Sequence, residues 1–224
     1  MKSTSITHYA TLVFDCDGVV LNSNRVKTEA FRQVALPYGE AAADAFVAYH
    51  MANGGISRYK KFAYFLDVIV PSLADLSGGA TLDEMLTAYA DKVRDGLLAC
   101  EVADGLPELR QQTGQARWLI VSGGDQTELR EVFEARQLAE LFDGGIFGSP
   151  DTKENILARE CECNNIRFPA LFLGDSKYDY KAACSQSLDF LFISAWTDVK
   201  DWQDWSSQNS ILSKDSIHSV LNMS

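Results

Sequence analysis

Five short and almost uninterrupted apolar runs constrain this chain more than any other feature. They are Ala10 to Phe14, Trp118 to Val121, Gly145 to Phe147, Ala170 to Leu173 and Phe190 to Ile193. A strand with one wet face alternates apolar and polar residues; a strand buried on both faces does not, and such strands belong to parallel sheets. Helix-like segments separate the last four runs. Asp125 to Gln137 carries Leu129, Val132, Phe133 and Arg136 at helical spacing, and Asp151 to Glu162 opens with a D-x-x-E pattern that reads as a cap. Strand–helix alternation of this kind predicts an α/β fold: a Rossmann-like, three-layer core around a parallel sheet.

One interval breaks the alternation. From the first run to Trp118 lie about a hundred residues with helical periodicity and no convincing strand. Asn24 to Leu36, Ala41 to Ala52, Ser57 to Ile69 and Thr81 to Leu98 give four helices, the last opened by a capping box at Thr81-Leu82-Asp83-Glu84. Gly54, Gly78 and Gly105 supply bends. The block is too long for one crossover and reads as an inserted four-helix cap subdomain, residues 21–99, on a core of residues 1–20 and 100–224.

In an open parallel sheet, ligands sit beyond the carboxyl ends of the strands. Asp15-Cys16-Asp17-Gly18 follows the first run, and Ser122-Gly123-Gly124-Asp125 leads from the second into a helix. Gly148-Ser149-Pro150-Asp151-Thr152-Lys153 follows the third. Gly174-Asp175-Ser176 follows the fourth, with Asp179 four residues beyond Asp175. Any one of these acids reads blandly as a solvated loop residue or helix cap. Asp15, Asp17 and Asp175 together at one sheet edge repel by about 4 kcal/mol per pair at 4 Å and an effective dielectric of 20. A divalent cation relieves that repulsion, and an all-oxygen donor set suits magnesium. Ser122 and the amides of Gly123 and Gly124 offer donors to an anion. Lys153 falls in the first turn of a helix, where the macrodipole disfavours a cation unless it reaches back to a bound phosphoryl group; the alternative is a tolerated surface lysine.

The strings FDCDGVVLNSN, VSGG, GSPDTK and LGDSKYD resemble, in order, the four motifs of the haloacid dehalogenase superfamily, from Tyr9 to about Ala183. The inserted helices resemble the cap of its phosphoglycolate phosphatase and β-phosphoglucomutase branch. The resemblance implies a magnesium-dependent phosphatase in which Asp15 attacks phosphorus and forms an aspartyl-phosphate. Asp17 protonates the leaving oxygen and then activates water, and Ser122 and Lys153 hold the phosphoryl oxygens. Magnesium is then held by Asp15, the backbone carbonyl of Asp17, and Asp175, with Asp179 ligating through water or from behind. A sugar-phosphate mutase keeps the same nucleophile and metal and stands as the alternative. Dehalogenases of the family generally lack the second acid of D-x-D, so Asp17 argues for phosphoryl chemistry. Asn22 replaces an aspartate that many relatives carry at the cap hinge.

Substrate choice is expected from the cap. The stretch from His50 to Phe62, with Gly54-Gly55, an N-cap at Ser57 and then Arg58 and Lys61, resembles the G-x-S-R substrate loop of such caps. Arg58 is the leading candidate to meet a second anion on the substrate, with Lys61, His50 and Gly123 as further binding residues and Arg25 and Lys27 behind them. The alternative is an ordinary helix start with solvated basic residues.

The net charge of −11 argues against nucleic acid or an anionic membrane as partner, leaving a small phosphorylated metabolite that needs a locally positive site. The five cysteines are scattered and fit reduced thiols, and Met1 to Ser5 carries no apolar stretch, so a cytoplasmic location is expected. Trp196, Trp202 and Trp205 are expected to anchor the C-terminal segment or to form a dimer contact, with a monomer or weak homodimer as the oligomeric state.

Overall fold

A computed structural model of the chain describes residues 5–73 and 79–223. The expected bend at Gly78 and the first four residues lie outside that range. Strand β1 (Thr11–Phe14) leads into the helical block: α1 (Asn24–Ala35), α2 (Glu40–Ala52), α3 (Arg58–Tyr64), α4 (Val70–Leu73) and α5 (Leu82–Ala99). The chain then returns through α6 (Leu106–Gln112) to β2 (Arg117–Asp125), α7 (Gln126–Ala135), β3 (Gly145–Ser149) and α8 (Lys153–Glu162). It ends with β4 (Ala170–Gly174), α9 (Lys177–Ser185), β5 (Asp189–Ile193), α10 (Trp202–Gln208), β6 (Leu212–Lys214) and α11 (Ile217–Val220).

All strand pairs are parallel, in the order β3-β2-β1-β4-β5-β6. The sheet is packed on both faces, as its continuous apolar runs required. Leu12, Phe14, Trp118, Ile120, Leu171 and Leu191 point to one core, which runs on into α6, α7 and the helical block. Val13, Leu119, Val121, Phe172, Phe190 and Phe192 alternate with them and point to a second core against α8 and α9. The chain is thus an α/β three-layer sandwich with an inserted helical cap. Trp202 stacks on Phe192 with ring centroids 5.6 Å apart, and Trp205 packs beside it, so these two tryptophans anchor the C-terminal segment to the second core.

Four details differ from the sequence reading. A sixth, edge strand is present, only three residues long. Ser57–Ile69 is not one α-helix: α3 passes at Phe65–Ile69 into a π-helical turn that continues as α4. Helix α8 is capped by Thr152, whose side chain accepts from the Asn155 amide, rather than by Asp151, which is taken up by Arg159. Finally, Ser122-Gly123-Gly124 is not a free loop entering a helix. Pairing with β3 resumes at Asp125–Ser149 after an irregularity, so this segment is the bulged end of β2, and the glycines make the bulge possible.

The cap is built on an aromatic cluster. Phe31, Phe46, Phe62, Phe65 and Tyr89 are all at most 2% exposed and meet at centroid distances of 4.3 to 5.6 Å. Two connections tie it to the core, and they run side by side: Leu21 bridges Val102, the Ala103 amide donates to the Val20 carbonyl, and Asn22 Nδ2 donates to Glu101 at 3.2 Å.

Candidate active site

The order of the sheet reverses at β1, between β2 and β4, and the site lies beyond its carboxyl end, where such folds bind ligands. Asp15 is the first residue after β1 and only 2% exposed. Its carboxylate accepts from the Cys16 amide at 2.7 Å and pairs with Lys153 Nζ at 2.8 Å. Lys153 opens α8 and is fully enclosed, and its ammonium also meets Asp179 Oδ1 at 2.5 Å. Burial works against its charge, but Asp15 and Asp179 outweigh it and hold Lys153 firmly protonated.

The Asp179 carboxylate is the hub of the β4–α9 turn. Its Oδ2 accepts from the Asp175 amide, the Ser176 amide and the Ser176 hydroxyl; the Ser176 amide bond, with the Asp179 amide donating to Ser176 Oγ, completes a capping box on α9. Asp175 projects from that turn. Asn24 of α1 donates to it at 3.0 Å, and its carbonyl accepts from Thr197. Gly18 is obligatory opposite it: a side chain there would overlap the Asp175 carboxylate, and φ is +76°.

Asp15, Asp175 and Asp179 can each present an oxygen within 4.8 Å of the other two. Burial, opposed by Lys153, pushes the Asp15 carboxyl up to about 7. Burial, with the Asp179 and Asp15 charges added, pushes Asp175 well above the carboxylate range. One lysine is too little positive charge for three acids. A second, hard cation would complete the balance, and the oxygen-only donors suit magnesium. The residues present therefore fit the metal.

Asp17 is turned the other way, toward the cap. Ser23 Oγ donates to one oxygen at 2.5 Å, and Lys27 Nζ of α1 meets the other at 2.6 Å. Burial raises this carboxyl, but Lys27 and Ser23 prevail and the net shift is downward. Ser122 is fully buried with its Oγ accepting from the Gly124 amide. Gly123 sits directly beneath the cap loop, where any side chain would collide with the Gly55 carbonyl.

Above these groups is a cavity of about 410 Å³, of the size that holds a small metabolite. Asp15, Asp17, Gly123 and Asp175 line its floor, and Lys27, His50, Arg58 and Lys61 its roof, while Asp198 of the loop after β5 closes a side. The cations concentrated here answer the puzzle set by the net charge. Arg25 is exposed and stays outside.

Arg58 reaches the cavity wall already engaged. Both terminal nitrogens are taken by Glu128 of α7, one at 3.1 Å, and the guanidinium lies 4.8 Å from the Tyr89 ring centroid. Tyr59 next to it donates to Asp125, the α7 N-cap, at 2.7 Å. Lys61 is 3% exposed and meets the His50 Nδ1 at 2.7 Å, while His50 Nε2 lies 3.1 Å from Thr28 Oγ1. Sequence reasoning did not find Asn24, Glu128, Thr197 or Asp198. Each acts across the cap–core boundary or from a loop with no motif, so no local spacing signalled it.

The haloacid dehalogenase-like hydrolase family model matches residues 9–184. No curated protein matches the chain significantly. Among solved structures, β-phosphoglucomutase from Clostridium difficile superposes with a TM-score of 0.70 at 14% identity, covering 93% of this chain and 92% of that one. A predicted phosphoglycolate phosphatase from Haemophilus somnus gives 0.67 at 16% identity, covering 84% and 87%. CbbY from Rhodobacter sphaeroides, in complex with phosphate, gives 0.66 at 14% identity, covering 96% of each. At these identities the neighbours speak to the fold.

Proposed function

Because the chain belongs to the haloacid dehalogenase-like hydrolase family, we propose that it is a magnesium-dependent phosphatase that hydrolyses a small phosphomonoester through Asp15. The observation carrying this reading is a buried carboxylate, Asp15, held 2.8 Å from Lys153 on the floor of a cavity roofed by cations. An acid so placed has two chemical uses, metal binding and attack on an electrophile, and phosphorus is the electrophile that the surrounding positive groups select.

Asp15, Asp175 and the Asp17 carbonyl would hold magnesium, with Asp179 behind them; bound there, the ion neutralises the carboxylates and polarises the phosphoryl oxygens. Lys153 and Ser122 hold the transferring group in line with Asp15 and stabilise the charge spreading over its oxygens. Asp17 must carry a proton to the leaving oxygen and later take one from water. In the arrangement described, Lys27 keeps Asp17 ionised, the state that suits the second task. Loosening of the Lys27 contact leaves burial to dominate and prepares the first. Closure of the cap over the floor excludes bulk water, and residues 21–99 act as that cap on a core of residues 1–20 and 100–224.

The test is release of inorganic phosphate from a panel of sugar, acid and polyol phosphates with and without magnesium. Asp15→Asn should lose activity by at least about 10³-fold, as nucleophile removal does. Appearance of an isomeric sugar phosphate without free phosphate would establish the mutase instead.

A further inference from the structure

Three buried cations line the roof of the cavity, and two are matched to carboxylates: Lys27 to Asp17 and Arg58 to Glu128. Lys61 is different. Among the described residues no carboxylate stands at ion-pair distance from it, although it is 3% exposed. Its one polar partner among the described residues is the His50 ring, and its ammonium lies 5.5 Å from the Phe31 ring centroid. A buried charge without a counter-charge is costly and persists where a ligand supplies the missing sign.

We propose that Lys61, oriented by His50, receives a second anionic group carried on the alcohol portion of the substrate, so that the preferred ester bears a carboxylate or a further phosphate. This rests on the phosphatase reading of the same cavity and moves its specificity from Arg58 to Lys61. Arg58 is bound at both arms by Glu128 and would have to break a buried pair to meet a substrate; Lys61 breaks nothing.

The charges around Lys61 agree with that role. Burial first and Lys27 of α1 second push the Lys61 ammonium down to about 7, with Lys153 of α8 adding to the push; Asp17 below and Asp198 from the loop after β5 oppose it at longer range. Burial, then Lys61 and Lys27, keep His50 of α2 neutral, so it orients the lysine without competing for an anion. An incoming anion stabilises the protonated amine, and binding above pH 7 therefore draws a proton from solvent.

Three esters with the same phosphoryl end give the test: 2-phosphoglycolate, ethane-1,2-diol bisphosphate and 2-hydroxyethyl phosphate, the last without a second charge. Each is titrated calorimetrically at pH 8 into Asp15→Asn protein with magnesium, in two buffers of different ionisation enthalpy. At least one acidic ester should bind about 10- to 100-fold tighter than 2-hydroxyethyl phosphate. It should also take up about one more proton, and whichever ester does so identifies the anion. Adding Lys61→Met should abolish both differences, costing the preferred acidic ester at least about tenfold more affinity than 2-hydroxyethyl phosphate. Adding Lys61→Arg instead should keep a preference without the proton uptake, because arginine is already charged.

Equal binding of all three esters to the Asp15→Asn protein overturns the proposal. So does a uniform loss in Lys61→Met, which would mark Lys61 as cap packing. If wild-type protein releases no phosphate while the binding difference stands, the hydrolytic reading fails and the Lys61 assignment holds.

Discussion

Replacing Glu128 by glutamine tests whether the cap is latched to the core through Arg58. Arg58 and Glu128 are 7% and 13% exposed in their side chains and meet at both guanidinium nitrogens. Breaking one partner of a buried pair costs about 3–5 kcal/mol when the remaining charge stays buried. Here the charge has an exit. Arg58 belongs to the cap and Glu128 to α7, so opening the cap returns the guanidinium to water. Glutamine also retains one acceptor, and the Tyr59–Asp125 bond at 2.7 Å is untouched. The closed state should therefore lose about 2–3 kcal/mol, a factor of roughly 30–150 in the closed-to-open ratio. Hydrogen exchange read by mass spectrometry should show faster exchange in residues 54–59 and 122–128, and kcat/KM for a small ester should fall by tens of fold. Global stability should fall by no more than about 2–3 kcal/mol, because the opened cap limits the loss. Unchanged exchange in both segments would refute the latch. A global destabilisation of the full 3–5 kcal/mol would also refute it, because Arg58 would then have no route to water through cap opening.

Other perturbations separate the parts of the site. Lys27→Met removes the group that holds the Asp17 carboxyl down, so burial should raise it and, because Asp17 must be protonated to serve the leaving oxygen, carry the basic limb of the kcat/KM–pH profile to higher pH; an unmoved limb would dissociate Lys27 from Asp17. Gly123→Ala sets a methyl against the Gly55 carbonyl, and overpacking of about 1–3 kcal/mol should lower kcat/KM about 5- to 150-fold with normal folding by circular dichroism. In chelator, stability should depend on pH through Asp15 and Asp175. Their folded-state pKa values lie above the unfolded ones, so their contribution is full below about pH 4 and is lost as pH rises, for Asp15 through about 7 and for Asp175 above the usual carboxylate range. The melting temperature should fall from pH 6 to pH 8 without magnesium and stay nearly level with it; identical slopes would remove the metal from this cluster.

Much of the fold was legible because burial on both faces writes continuous apolar runs, and helix caps write local signals such as Thr81-Leu82-Asp83-Glu84, whose capping box is formed. Strand β6 left no such run. It is three residues of edge strand, Leu212 is 41% exposed, and Ser213 and Lys214 are polar. The floor of the site was legible for a topological reason: Asp15, Ser122 and Asp175 each stand at or just beyond the carboxyl end of a parallel strand, and Lys153 opens the helix that follows β3. Its roof was not. Arg58 and Glu128 lie 70 positions apart and meet only when the cap is docked, and Asn24 finds Asp175 across 151 positions. Hence the basic residues of the cap could be named from the sequence, while which of them is already neutralised could not.

The central claim is that Asp15 itself becomes phosphorylated. Wild-type protein turning over a phosphomonoester with magnesium should be quenched in acid within milliseconds, reduced with borohydride and digested. An acyl phosphate at position 15 is then converted to homoserine, and the peptide spanning Thr11 to Asp17 should carry it, in an amount that vanishes in Asp15→Asn. Steady phosphate release with no homoserine at position 15, or with phosphate trapped on another side chain, would contradict the account.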